Sequence, residues 1–69
     1  MKLSARNQIR GCIAAVQKGQ TTAHVRLEIG NGIVITASIT NEAVDELGIK
    51  AGGKATVVVK ASDVMIAVD

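Results

Sequence analysis

The sequence predicts an all-β fold, a small and partly open barrel of five strands with one short helix between strands 3 and 4. Three observations carry that reading. Apolar residues recur at every second position through most of the 69 residues, the period of strands with one buried and one wet face. The alternating runs are broken at Gly19, at Gly30-Asn31-Gly32 and at Gly52-Gly53, where glycine and asparagine supply the backbone angles that turns require. Between Thr40 and Gly48 the rhythm changes to that of a helix.

Taken in order, Gln8 to Val16 reads as one long strand, with Ile9, Ile13 and Val16 interrupted by Gly11, where a bend or bulge is expected. Lys18-Gly19-Gln20 is the first hairpin turn. The second strand is the cleanest, because Ala23, Val25, Leu27 and Ile29 alternate with His24, Arg26 and Glu28. Ile33, Ile35, Ala37 and Ile39 repeat the period of two in the third.

Thr40 or Asn41 then suits a helix N-cap, and Glu42 and Asp45 suit the positive end of the helix dipole. Ala43, Val44 and Leu47 give it an apolar edge, and Gly48 ends it. At about two turns it stands by plugging a core rather than by its own propensity. Ala55, Val57, Val59 and Ala61 form the fourth strand, Ser62-Asp63 a break, and Val64, Ile66 and Val68 the fifth. Three strands, a helix and two strands is the order of an OB-type barrel, with an SH3-like barrel the nearest competitor. Residues 1–69 have room for a single domain, with no internal repeat, low-complexity segment or linker.

Composition narrows the function. Nearly half the residues (48%) are hydrophobic and none is aromatic, so the core must be built from Val, Ile, Leu and Ala. One cysteine makes no intrachain disulfide, and one histidine beside it makes no structural metal cluster. A chain this short and this apolar is expected to bury its excess against copies of itself. Cys12 reads as a small buried apolar residue and fits a reducing compartment. Without an apolar leader or a membrane-length run, the expectation is a soluble cytoplasmic protein.

The net charge of +2 favours an anionic partner only weakly, so placement matters more. Ser4-Ala5-Arg6 near one end and Lys60-Ala61-Ser62 near the other each combine a cation, a hydroxyl and a small residue that leaves backbone N–H groups reachable. That equipment suits an oxyanion. Lys18-Gly19-Gln20 is a weaker candidate for a second anion pocket, because a glycine turn beside a lysine can present free N–H groups.

Other chemistries find less support. The glycines precede no Lys-Ser or Lys-Thr of a phosphate loop, and no nucleophile has a base to activate it, so the chain reads as non-enzymatic. His24 has no partner at ligand spacing and reads as a surface or interface histidine. A single-stranded nucleic-acid-binding barrel is the alternative, weakened by the absence of rings for bases to stack on. A purely structural oligomer is a third reading.

Ser-Ala-Arg-Asn-Gln at 4–8, Ile-Thr-Ala-Ser-Ile-Thr at 35–40, Glu-Leu-Gly-Ile-Lys at 46–50 and Lys-Ala-Ser-Asp-Val-Met at 60–65 together resemble the molbindins, the small molybdate-binding Mop proteins. The resemblance runs over essentially the whole chain. It implies an OB-like fold assembled as a hexamer, a trimer of dimers, that holds molybdate or tungstate at subunit interfaces. The metal is then bound only as its oxyanion, with no cofactor, no nucleic acid and no membrane partner. By the family's pattern Ser4, Ala5 and Arg6 grip the anion from one place. Lys60, Ala61 and Ser62 close it from another, on the same subunit or a neighbour. The second kind of pocket in the family, built from main chain, falls at Lys18, Gly19 and Gln20. With no DNA-binding or nucleotide-binding segment in the sequence, the resemblance favours a freestanding storage or buffering protein.

Overall fold

A computed structural model describes residues 1–69. Four antiparallel strands, β1 (Asn7–Lys18), β2 (Thr22–Gly30), β3 (Ile33–Thr40) and β4 (Lys54–Val59), form one sheet in the order β3-β2-β1-β4. The helix α1 (Asn41–Leu47) follows β3, and a single 3-10 turn (Ala61–Asp63) follows β4. The curled sheet and short helix give the expected OB-like architecture with four strands rather than five.

The alternation in β2 decides which side is core. Ala23, Val25 and Leu27 are buried, and Ile13 from β1 and Val44 from α1 complete the cluster. His24, Arg26 and Glu28 point the other way and are exposed. Each fully buried Val or Leu contributes about 1.5–3 kcal/mol relative to exposure. From β3, Ala37 and Ile39 pack against this cluster.

The second hairpin forms as the sequence suggests. Asn31 (φ 53°) and Gly32 (φ 74°) both occupy the left-handed region that a tight two-residue turn needs. Thr40 is the N-cap of α1: its hydroxyl accepts from the Ala43 N–H at 3.0 Å. Gly48, at φ 65°, ends the helix as a left-handed residue. Val44 is the plug, whereas Leu47 is 71% exposed and does not share that role.

Three local expectations need correction. The irregularity in β1 lies between Ile13 and Ala15, not at Gly11. Gly11 answers a different need, since a Cβ there would stand 2.7 Å from the Glu28 carbonyl oxygen. Ala61 belongs to the 3-10 turn and not to β4, which ends at Val59. Cys12 is exposed, because its partners in the ladder, Glu28 and Lys54, share the outer face.

The largest difference concerns the fifth strand. Val64–Val68 alternates as a strand should, yet has no ladder partner, and Met65, Ile66 and Val68 are 92%, 85% and 91% exposed. A strand's N–H and C=O groups need an edge to bond to. The 3-10 turn takes the chain off β4 before this segment begins, and the segment pairs with no edge of its own sheet. β3 and β4 both remain open edges. On the concave side, an apolar groove of about 500 Å³ is lined by residues that include Ile13, Leu27, Ile39 and Val57.

Candidate functional site

Where the two anion-binding segments lie follows from the pairing of β1 with β4. The ladder ends with Asn7 opposite Val59. Ser4–Arg6 lead into β1 and Lys60–Ser62 follow β4, so both segments leave the ladder at the same end. Two segments more than fifty positions apart in sequence thereby become the two lips of one opening. The Asn7 amide ties them by donating to the Val59 carbonyl oxygen at 3.2 Å. Gln8 donates its side-chain amide to the Ala5 carbonyl oxygen, also at 3.2 Å, which steadies the first lip.

The cleft between them, about 650 Å³, is lined by Ser4, Ala5, Arg6, Lys60, Ala61 and Ser62, together with Val58 and Asp63. All six predicted residues of the first site meet here within one chain. The second lip is the 3-10 turn, closed by the Asp63 N–H donating to the Lys60 carbonyl oxygen at 2.9 Å. The N–H groups of Ala61 and Ser62 open that turn and have no partner inside it.

Electrostatically the cleft is one-sided. Arg6 and Lys60 bring two positive charges to facing lips, and neither forms an ion pair; the chain's one salt bridge joins Lys18 and Asp45. The guanidinium fork, the ammonium, two hydroxyls and free N–H groups can jointly donate to several oxygens of one tetrahedral anion.

Asp63 is the residue that sequence reasoning missed. In the sequence it stands in a break and inside the motif at 60–65, with no role in binding attached to it. Its carboxylate brings one acceptor and one negative charge to a cleft otherwise made of donors.

The second candidate site is changed more. At the β1–β2 hairpin a concavity of about 250 Å³ is lined by Gln17, Lys18, Gly19, Thr22 and His24. Lys18 and Gly19 are there, Gln20 is not, and Gln17, Thr22 and His24 were not foreseen. The Lys18 ammonium is held by an Asp45 carboxylate oxygen at 2.6 Å. Asn41 clamps the same hairpin by donating to the Gly19 carbonyl oxygen at 3.0 Å. No group of three or more His, Cys, Asp or Glu side chains could hold a metal ion. No helix is long and apolar enough to cross a membrane.

Comparison with known proteins identifies the family. Residues 3–66 match the family model described as the TOBE domain. Molybdenum-pterin-binding protein 2 of Clostridium pasteurianum is 50% identical over 66 residues, which cover 96% of this chain and 97% of that protein. The solved structure of MopII from Clostridium pasteurianum, in an apo form, matches with a TM-score of 0.90 at 48% identity, across 97% of this chain and 100% of that one. ModG, a cytoplasmic molybdate-binding protein solved with molybdate bound, matches with a TM-score of 0.89 at 43% identity; the match spans 94% of this chain and 46% of ModG. By full-length identity, by fold and by the family model, this chain belongs to the TOBE-domain family, among its Mop-type members.

Proposed function

We propose that this chain is a non-enzymatic oxyanion-binding protein that stores and buffers molybdate, with tungstate an accepted congener. The ligand lies in the cleft between Ser4–Arg6 and Lys60–Ser62, and residues 1–69 work as one binding domain in the cytoplasm. The observation that supports this most is the meeting of two unpaired cations and two hydroxyls on facing lips of one opening. The relatives add independent support, being named for molybdenum-pterin binding or, for ModG, for molybdate binding.

The chemistry follows from charge and shape. A tetrahedral dianion removed from water needs its charge balanced and its oxygens hydrogen-bonded. Arg6 and Lys60 supply the two charges, while Ser4, Ser62 and the N–H groups of Ala61 and Ser62 supply further donors. Asp63 limits what protonation can do for selectivity, because its carboxylate can accept the proton that hydrogen phosphate retains. Selection between molybdate and the smaller sulfate then rests on the size and rigidity of the pocket.

Rigidity comes from assembly. The cleft lies on the surface of a single chain, and Val64–Val68 leaves it apolar and unpaired. In the proposed hexamer, a trimer of dimers, this segment becomes the fifth strand by pairing along an open sheet edge of a neighbouring copy, and the oxyanion pockets lie where subunits meet. A ligand bound at such a seam stabilises the assembled state, by about 2.7 kcal/mol at a hundredfold excess over Kd.

Thermal unfolding with and without molybdate tests the proposal. The midpoint rises with molybdate in the native protein, and Arg6→Ala removes most of the rise. A midpoint indifferent to molybdate would sink the reading. Native mass measurement should give six chains, with bound oxyanions appearing in the same spectrum.

A further inference from the structure

The last rung of the β1–β4 ladder differs from the rest. Asn7 stands opposite Val59 there, and its half-buried side chain donates an amide N–H to the Val59 carbonyl oxygen at 3.2 Å. It is the one side-chain hydrogen bond that crosses between these two strands. Beyond it no backbone bond joins Ser4–Arg6 to Lys60–Ser62, and the Lys60 and Ala61 carbonyl oxygens accept instead from the Asp63 and Val64 N–H groups that follow. The cleft opens directly from a rung that a carboxamide reinforces.

Asn7 is not itself a binding group. Alternation along the ladder puts Asn7 and Val59 on the inner side with Ile9 and Val57, whereas Val58 faces outward and lines the cleft. The Asn7 side chain is absent from the cleft walls, so any effect on a bound anion passes through the separation of the two lips. Gln8 braces differently, since its exposed amide donates to Ala5 within the first lip and does not reach the second.

We infer that Asn7 is the positioning residue that sets the width of the cleft, and through it the choice between tetrahedral dianions by size. This deepens the oxyanion-binding reading and rests on it. A strand end frays readily, because its last rung is braced by a neighbouring rung on one side only. With free lips, the donors of Arg6, Lys60 and Ser62 can close around a smaller dianion as well as around a larger one, and size is not read. Held at the Asn7 rung, they keep a fixed span. Molybdate fills it, whereas sulfate, equal in charge and shape but smaller, leaves donors at stretched distances. A carboxamide suits the task, since it brings no charge to the cleft and its half-buried hydrogen bond is shielded from competing water.

Isothermal titration of the full-length protein with molybdate and with sulfate, at fixed ionic strength, reads the inference as a ratio of dissociation constants. Asn7→Leu, similar in size and without a donor, should lower the preference for molybdate over sulfate by roughly fivefold or more, the equivalent of one net hydrogen bond. Gly11→Ala, which disturbs the same ladder away from the cleft, should lower the unfolding midpoint and leave the ratio as in the native protein. A purely structural role for Asn7 would weaken both anions alike. Equal affinity of the native protein for the two anions, an unchanged ratio in Asn7→Leu, or an equal fall in Gly11→Ala would each overturn the inference. Should Asn7→Leu not fold by circular dichroism, Asn7→Ala removes the same donor without the bulk and is held to the same outcome. Native protein that binds no molybdate, or binds it no less tightly after Arg6→Ala, would instead defeat the main-site reading, so the two failures are told apart.

Discussion

Replacing Arg6 with alanine should weaken molybdate binding by roughly 150-fold while leaving the sheet intact. Arg6 is exposed and precedes the first ladder residue, Asn7. Its side chain takes part in no hydrogen bond or ion pair of the fold, so its removal costs the scaffold little. In the complex a guanidinium can make two charge-assisted hydrogen bonds, each contributing about 1.5–3 kcal/mol. The cleft is open to solvent on one side, which screens the charge, so the lower end of that range applies, about 3 kcal/mol for the pair. Arg6→Lys keeps the charge and loses the fork, and should fall between, at roughly tenfold. Isothermal titration at fixed ionic strength measures both, with Arg10→Ala as the control that removes the same net charge from an exposed position outside the cleft. Unchanged affinity in Arg6→Ala, or an equal loss in Arg10→Ala, would refute a located site in favour of diffuse attraction.

Other expectations follow from the same contacts. Asp63→Asn removes the one carboxylate lining the cleft and should tighten molybdate binding by several-fold, as about 1 kcal/mol of repulsion is relieved; the same titration reads it. Gly11→Ala forces a Cβ to within 2.7 Å of the Glu28 carbonyl oxygen, which must shift within the ladder, and should cost about 1–3 kcal/mol in denaturant unfolding. Ile66→Asp places a charge on the unpaired tail, which is 85% exposed in the single chain. It should leave the four-stranded sheet of the single chain folded, lower strand content by circular dichroism only by the lost fifth strand, and shift sedimentation from hexamer to smaller species.

Much of this fold is legible because β2 alternates without exception and its two sides carry opposite chemistry. The Asn31-Gly32 turn and the Thr40 and Gly48 caps are legible for a similar reason, since each position demands a conformation few residues tolerate. The β1 irregularity is not, because Ala14 carries no turn chemistry, whereas Gly11 carries it and is needed for a close approach instead. Val64–Val68 has the pattern of a strand, but a pattern names a face and not the edge that will pair with it. The six cleft residues were readable as two donor-rich segments, and their meeting depends on a register that only the β1–β4 ladder fixes. The ion pair of Lys18 with Asp45 was not legible, because nothing in sequence reveals that Lys18 turns inward to the helix.

The central claim is a location, and diffraction locates molybdenum directly. Crystals grown with molybdate and measured across the molybdenum absorption edge should show an anomalous peak within hydrogen-bond reach of the Arg6 guanidinium, with Lys60 and Ser62 on its far side. An anomalous peak confined to other surfaces, with the Arg6–Lys60 cleft holding only water, would contradict the account.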